Sequence, residues 1–114
     1  MTDWSIEVAL RDKLRDGAQG YLQPGEQIQA AFLAKRPEVR YNDRSVIATD
    51  RRILLFSLDF RGRPKAVLAE LRRQTRLGPC TGWLLHPLAG FGVPLAVSRR
   101  FFADVEEADR AVGL

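Results

Sequence analysis

Cysteine and histidine are nearly absent from this sequence, which contains one of each, Cys80 and His86. A single cysteine excludes a disulfide within the chain and is typical of a reducing compartment. Because no second cysteine or histidine could share the ligation, a zinc site is not supported, and we expect neither a metal nor a cofactor. The first residues lack the long apolar core of a secretory signal, so we expect a cytoplasmic protein.

A catalytic pair of Cys80 and His86 is not supported either. On one strand, their separation of six residues would place them on the same face but about 20 Å apart, unless the chain folds back between them. Pro87 directly follows His86 and indicates a turn there. Since no glycine-rich phosphate loop and no pair of carboxylates stands out, we expect a protein that is not an enzyme.

The sequence also lacks an unbroken apolar run that could form a helix across a membrane. Residues 77–98 contain no Asp, Glu, Lys or Arg, a length that could span a bilayer. Three prolines and four glycines divide this stretch, and one small domain offers few partners for the backbone groups that they free. We therefore predict short core strands and turns here, with an apolar excess that could also mark a protein interface.

Positive charge is concentrated in the middle third of the chain. Residues 35–76 carry twelve Lys or Arg against five Asp or Glu, whereas residues 1–34 carry three against five and residues 77–114 three against four. A local surplus of this kind is typical of a surface that contacts an anionic partner, or of a solvated face.

Helical periodicity marks both ends of the chain. The apolar positions of the first helix recur every four residues: Ile6, Leu10 and Leu14. This spacing predicts a helix over residues 3–16 that Gly17 would end. A second apolar stripe lies near the C-terminus: Phe101, Val105, Ala108 and Val112. It predicts a closing helix over residues 99–113.

Short runs of β-branched, leucine and aromatic residues between the helices indicate strands. The clearest are Ile28–Ala34, Ser45–Thr49, Arg52–Leu58 and Ala66–Leu71, and shorter ones are expected at Thr75–Leu77, Gly82–Leu85 and Pro94–Val97. The pattern predicts an α+β fold with an antiparallel sheet. It fits one domain over residues 1–114, with an N-terminal helical segment (1–21), a β-barrel (22–98) and the C-terminal helix.

The run VIATDRRILLF, residues 46–56, places a polar corner between two of these strands. Thr49 and Asp50 can bond nearby backbone N–H groups and hold a reversal. Catalysis would need a base or nucleophile beside Asp50, and none is adjacent. We therefore interpret the corner as a structural turn, with Arg51 and Arg52 either in solvent or part of an anion-binding rim.

Four segments, in this order, resemble the small bacterial proteins with a pleckstrin-homology-like (PH-like, GRAM-related) barrel. They are GEQIQAAF (25–32), VIATDRRILLF (46–56), LRRQTRLGP (71–79) and SRRFFADVEEAD (98–109). The resemblance covers about residues 22–112 and implies a bent antiparallel β-barrel or sandwich of about seven strands, capped by the last helix. It also implies a binding or assembly module. The headgroup motif of lipid-reading PH domains would fall on Lys35 and Arg44, but its third position is the apolar Val46.

Seven basic residues in or beside two predicted loops form the candidate anion-binding or headgroup-binding site: Lys35, Arg36, Arg40, Arg44, Arg61, Arg63 and Lys65. The resemblance implies that these loops lie side by side at one open end of the barrel. Each basic residue near an anionic membrane contributes about 1 kcal/mol, and the acidic residues of the same loops would offset part of that sum. The alternative is that both loops are merely solvated.

Both faces of Ser45–Leu58 are apolar, so the outer face must be covered by the first helix or by another chain. We therefore expect a non-enzymatic module that docks on a protein partner or on itself, with weak contact to anionic lipid headgroups at the inner face of the membrane. The alternative is a small basic β-barrel that binds nucleic acid by stacking bases on aromatic side chains. The only aromatic residues in the basic region are Phe32, Tyr41, Phe56 and Phe60.

Overall fold

The computed structural model describes residues 3–36 and 43–114. The two α-helices are α1 (Asp3–Ala18) and α2 (Phe102–Arg110), and single turns of 3₁₀-helix lie at Gln19–Tyr21 and Arg99–Phe101. The strands are β1 (Ile28–Lys35), β2 (Asp43–Thr49), β3 (Arg52–Leu58), β4 (Pro64–Arg72), β5 (Leu85–Leu88) and β6 (Leu95–Ser98).

The six strands form one antiparallel sheet in the order β4-β3-β2-β1-β6-β5. β1 pairs with β2 along its length but meets β6 only where Lys35 lies opposite Ala96. The sheet therefore turns sharply between β1 and β6 and curls into a half-barrel. The expected α+β class with an antiparallel sheet is confirmed.

Alternating side chains of β1, β2 and β3 fill two cores, one on each face of the sheet. Phe32, Val46 and Leu55 belong to the core that contains α2. Ile47 and Leu54, from alternate positions, belong to the core that contains α1. Helix α1 thus covers the second apolar face of the sheet. The sequence left two alternatives for this role, the first helix or another chain, and the helix fills it.

Helix α1 passes through Gly17, where the sequence predicted its end, and continues to Ala18. A Cβ atom on Gly17 would lie only 2.6 Å from Cδ of Pro64, at the start of β4. The glycine therefore allows helix and strand to approach each other, and the prediction that it ends the helix was wrong. Leu14 and Ala18, on the same face, are buried against the sheet.

Six strands are present among the described residues, where about seven were expected. The strand expected at Thr75–Leu77 is irregular, because the amides of Leu77 and Gly78 donate to the carboxylate of Asp109 (2.9 and 2.8 Å). The strand expected at Gly82–Leu85 begins only at Leu85.

β5 contains Pro87, where a turn was predicted. β5 is an edge strand, so the N–H group that proline lacks is not needed for pairing. The closing helix is also shorter than expected, since α2 follows a 3₁₀ turn and ends at Arg110.

The uncharged residues 77–98 form β5, β6 and the turns around them, as the prolines and glycines indicated. Within residues 3–36 and 43–114, we find no helix with the length and apolar character needed to cross a bilayer.

Candidate anion-binding site at the basic end of the sheet

Two chain reversals lie at the same end of the sheet. Lys35 pairs with Asp43, and Arg44 pairs with Ser57, so the β1–β2 connection and the β3–β4 hairpin leave the sheet together. We call this end the basic end and define it by its described basic residues: Lys13, Lys35, Arg36, Arg44, Arg61, Arg63 and Lys65.

The basic end contains six of the seven predicted site residues. Four of them are exposed, namely Lys35, Arg61, Arg63 and Lys65. Arg36 and Arg44 are half-buried. The predicted site residue Arg40 lies outside the described residues.

The β3–β4 hairpin is held by its own hydrogen bonds. The Asp59 amide donates to the Arg63 carbonyl (2.8 Å), and the Gly62 amide donates to the Asp59 carbonyl (2.9 Å). The Asp59 carboxylate accepts from the amides of Arg61 (2.9 Å) and Arg63 (3.0 Å). These bonds, above all that from Arg63, hold the pKa of Asp59 below its usual range. Gly62 has a φ of 78°, which the tight reversal requires.

Phe60 projects from the tip of this hairpin and is 92% exposed. The Arg61 guanidinium lies over its ring, 5.4 Å from the centroid. Phe32 and Phe56 are fully buried. A large apolar side chain therefore stands in solvent among basic residues, an arrangement that the sequence did not single out. The signal was present, because Phe60 lies between the turn-forming Asp59 and Gly62.

Helix α1 and the 3₁₀ turn that follows it contact the hairpin from one side. The ammonium group of Lys13 donates to the carbonyl of Arg61, and the Tyr21 hydroxyl donates to the carbonyl of Pro64 (3.4 Å). Lys13 thereby joins the basic end. No sequence signal could have placed it there, since the contact joins residues 48 positions apart.

A small cavity of about 70 Å³ adjoins the basic end, between β1 and the segment after β6. Lys35 and Arg100 supply its cationic side chains, and Asp43 supplies a carboxylate. The sequence assigned Arg100 only to the closing helix, so its approach to Lys35 is a result of the fold.

At the opposite end, the Thr49–Arg52 corner is a structural turn, as predicted. The Thr49 hydroxyl accepts from the amides of Arg51 and Arg52, both at 3.1 Å. The Asp50 carboxylate accepts from the Gln27 amide (2.9 Å) and so ties the corner to the chain before β1.

Arg52 is not in solvent and not part of an anion-binding rim, so that prediction was wrong. Its Nε and Nη2 atoms donate to the two carboxylate oxygens of Glu26 (2.9 and 3.0 Å), and Nη1 donates to Glu70 (2.7 Å). The hydrogen bond with Glu26 raises the pKa of Arg52. The sequence gave no sign of this pairing. Glu26 follows a turn-forming glycine, and residues beside turns usually lie at the surface.

Glu26 is a buried carboxylate with every lone pair directed at a donor. It accepts from the hydroxyl of Thr49 (2.6 Å) and from the amide of Gln23 (2.8 Å), besides the forked contact with Arg52. The Arg52 hydrogen bond is the largest cause that lowers the pKa of Glu26 from 4.5 to about 2. The cluster is therefore a charged pair that holds the turn.

Arg73 is a second cation outside the basic end, and it is 2% exposed. Its guanidinium donates to Gln29 Oε1 (2.8 Å), to the Thr49 carbonyl and to the Ala108 carbonyl (2.6 Å). Burial lowers its pKa. Arg73 thus joins β1, the end of β2 and the C-terminal turn of α2, where a cation is favoured by the helix dipole.

The chain does fold back between Cys80 and His86. The Thr81 amide donates to His86 Nδ1 (3.4 Å), and His86 Nε2 donates to the Leu77 carbonyl (2.8 Å), so both ring nitrogens are engaged by the backbone. Burial, followed by the charges of two nearby acids, raises the pKa of the Cys80 thiol to about 11. A cysteine that is activated as a nucleophile has a lowered thiol pKa instead.

Neither of two further arrangements among the described residues offers a site for chemistry. An open cavity of about 380 Å³ beside α2 is lined by Arg76, Arg110, Glu106 and Asp109, so its charges are mixed. In the part of the chain that the structure describes, no group of three or more His, Cys, Asp or Glu is placed to hold a metal ion.

Comparison with protein-family models, with curated proteins and with solved structures gave no match. The geometry by itself therefore defines the class of protein. It is an α+β half-barrel with two helices, whose basic end has an exposed phenylalanine at its tip.

Proposed function

We propose that the protein is a non-enzymatic binding module with a PH-like barrel, and that it docks on an anionic lipid surface through the basic end. The observation that carries this proposal is Phe60, 92% exposed on a hairpin whose turn is fixed by Asp59. Without an apolar residue to insert, the basic loops alone would bind a membrane weakly. Phe60 supplies that residue.

Two contributions to the free energy of membrane binding would add at this surface, one electrostatic and one apolar. Each basic residue near an anionic leaflet contributes about 1 kcal/mol, and this contribution is screened by salt. Burial of a phenylalanine side chain contributes about 1.5–3 kcal/mol and does not depend on salt in the same way. With Phe60 inserted, the Arg61 guanidinium, which lies over the ring, would be at the level where lipid phosphates meet the acyl chains.

The arrangement of aromatic residues favours lipid over nucleic acid. Binding of single strands usually relies on several exposed aromatic rings along a basic groove. Of the candidates in the basic region, Phe32 and Phe56 are fully buried, and Tyr41 lies outside the described residues. Among the described residues of the basic region, Phe60 is the one exposed ring, and a single ring suits insertion into a bilayer better than contact with successive bases.

Co-sedimentation with vesicles tests the proposal. We expect binding to phosphatidylcholine vesicles that contain phosphatidylserine, and none to phosphatidylcholine alone. Phe60→Ser should weaken the partition coefficient about tenfold, because the apolar contribution is lost. The triple variant Arg61→Gln, Arg63→Gln, Lys65→Gln should weaken it about 100-fold at low salt.

Matched controls lie at the other end of β4. Arg72 and Arg76 are exposed and remote from the hairpin, so Arg72→Gln with Arg76→Gln should change binding less than about twofold. Equal binding to neutral and anionic vesicles, or equal loss in the two charge variants, would rule out docking through the basic end.

A second candidate function is docking on a protein partner or on a second copy, and β4 favours it. This nine-residue edge strand pairs only with β3 among the described strands, and its Val67 and Leu68 are exposed. An open edge with apolar side chains can add a strand from another chain.

Light scattering of the purified protein tests this second candidate. Self-association through β4 predicts a dimer that Val67→Lys with Leu68→Lys disrupts, because charges on an edge strand oppose pairing. If the protein is a monomer at all concentrations, self-association through β4 is ruled out.

A further inference from the structure

A second exposed aromatic residue is held beside an arginine at the start of β5. Trp83 is 75% exposed and Leu84 is 63% exposed. The Arg99 guanidinium lies over the indole of Trp83, 4.7 Å from the ring centroid. The Arg99 amide donates to the Leu84 carbonyl (2.9 Å), so the segment is fixed to the end of β6.

This apolar segment is poorly suited to receive a strand from another chain. A Cβ atom on Gly82 would lie 1.6 Å from the Leu85 carbonyl oxygen, so the backbone of Gly82 covers that acceptor. Pro87 has no N–H group to donate. Because the edge of β5 offers so few groups for pairing, the exposed Trp83 and Leu84 need a partner that makes no ladder of backbone hydrogen bonds.

The surroundings of Trp83 carry positive charge and adjoin the basic end. Arg99 is followed by Arg100, which lines the 70 Å³ cavity together with Lys35 and the carboxylate of Asp43, so that cations outnumber the acid there by two to one. The nearest acid along the chain, Asp104, is paired with Arg11 (2.8 Å). Residues 77–98 contain no acid at all. An anionic surface therefore complements this segment as it complements the basic end.

We propose that Trp83 and Leu84 form a second anchor that inserts into the same anionic lipid surface, with Arg99 at the level of the headgroups. This inference rests on the docking function proposed for the basic end. Tryptophan favours the membrane–water interface, where its ring lies among acyl chains and its N–H group remains hydrated. Two anchors, one on the β3–β4 hairpin and one before β5, would restrict the orientation of the protein on the membrane more than a single phenylalanine can.

The test is quenching of tryptophan fluorescence by brominated phosphatidylcholine in vesicles that also contain phosphatidylserine. The sequence has two tryptophans, Trp4 and Trp83. Trp83→Phe keeps an aromatic ring at the position and removes only the reporter, so the difference between the two proteins is the signal of Trp83. We expect quenching in the wild type that is lost in Trp83→Phe, while both proteins co-sediment with the vesicles.

A paired variant measures the contribution to affinity. Trp83→Ser with Leu84→Ser should weaken binding to anionic vesicles about 100-fold, because two large apolar side chains are lost. Val93→Ser, an exposed apolar residue at the far turn of the same hairpin, should leave binding unchanged. Thermal unfolding of each variant checks that the fold is retained.

The outcomes separate the two proposals. Co-sedimentation with equal quenching in the wild type and in Trp83→Phe would overturn the second anchor and leave the basic end as the docking site. Absence of binding to anionic vesicles would overturn both. Binding to anionic vesicles that is weakened both by Phe60→Ser and by Trp83→Ser with Leu84→Ser is the result that the two proposals require.

Discussion

At the scale of single residues, Glu26 shows how a buried charge holds this fold. Its carboxylate is enclosed by donors from Arg52, Thr49 and Gln23. A charge buried in this way is stable only while its partners are present, since an unpaired one would lose its hydration without compensation.

Replacing Glu26 by glutamine should lower the free energy of unfolding at neutral pH by about 3 kcal/mol, because Arg52 would lose its forked partner. The pKa of Glu26 falls from 4.5 to about 2 in the folded protein. Its stabilisation is therefore complete above pH 4.5 and is lost as the pH falls toward 2. Urea titrations of wild type and Glu26→Gln should converge across that window, and a constant difference between them would contradict the assignment.

Cys80 gives a prediction about reactivity. With a thiol pKa raised from 9.0 to about 11, the thiolate fraction at pH 8 is about 100-fold below that of an ordinary cysteine. Alkylation by iodoacetamide should be slower by at least that factor in the folded protein than in urea. Its rate should keep rising with pH well above 9, and a plateau near pH 9 would show that the thiol is not perturbed.

At the scale of elements, the contact of α1 with the β3–β4 hairpin depends on Gly17. Glycine inside a helix costs about 1 kcal/mol relative to alanine, so Gly17→Ala would stabilise an isolated helix. In this fold the added Cβ would lie 2.6 Å from the rigid ring of Pro64, and helix and hairpin must separate.

We therefore expect Gly17→Ala to destabilise the protein by about 1–3 kcal/mol in spite of the gain in helix propensity. Gly20→Ala is the matched control, because no atom lies within 4 Å of the position that its Cβ would occupy. Chemical denaturation of the two variants gives the comparison, and a more stable Gly17→Ala would show that α1 does not pack against Pro64.

At the scale of the whole molecule, the net charge of +4 conceals a strong asymmetry, since the basic surplus lies in residues 35–76. The Debye length falls from about 10 Å at 0.1 M salt to about 3 Å at 1 M, so charge-dependent binding weakens as salt is added.

Vesicle binding by the wild type should fall steeply between about 0.05 M and about 0.5 M salt, while a residual part from the apolar anchors persists. Phe60→Ser should reduce the residual part, to which Trp83 and Leu84 still contribute, and keep the slope. The variant Arg61→Gln, Arg63→Gln, Lys65→Gln should reduce the slope. Co-sedimentation across a salt series measures both quantities, and identical salt profiles for the two variants would refute this division of roles.

The strands β1, β2 and β3 and the turn at Thr49–Asp50 were predictable from the sequence with nearly correct bounds. Their apolar runs are short and separated by turn-forming residues, and such local patterns fix strand and turn formation. The weak strands after Arg72 were placed less well. There the backbone amides of Leu77 and Gly78 are taken by Asp109, a partner more than 30 residues away.

The sequence by itself determined the local conformation of most of the chain and the concentration of arginines in its middle third. Only the tertiary structure decided which arginines remain at the surface, since Arg52 and Arg73 are enclosed by partners from distant segments while Arg61 and Arg63 are exposed. It also decided that Phe60 and Trp83 stand in solvent. The physical reason is that burial depends on which segments pack against each other in the fold. Local periodicity carries no information about packing between segments that are distant in sequence.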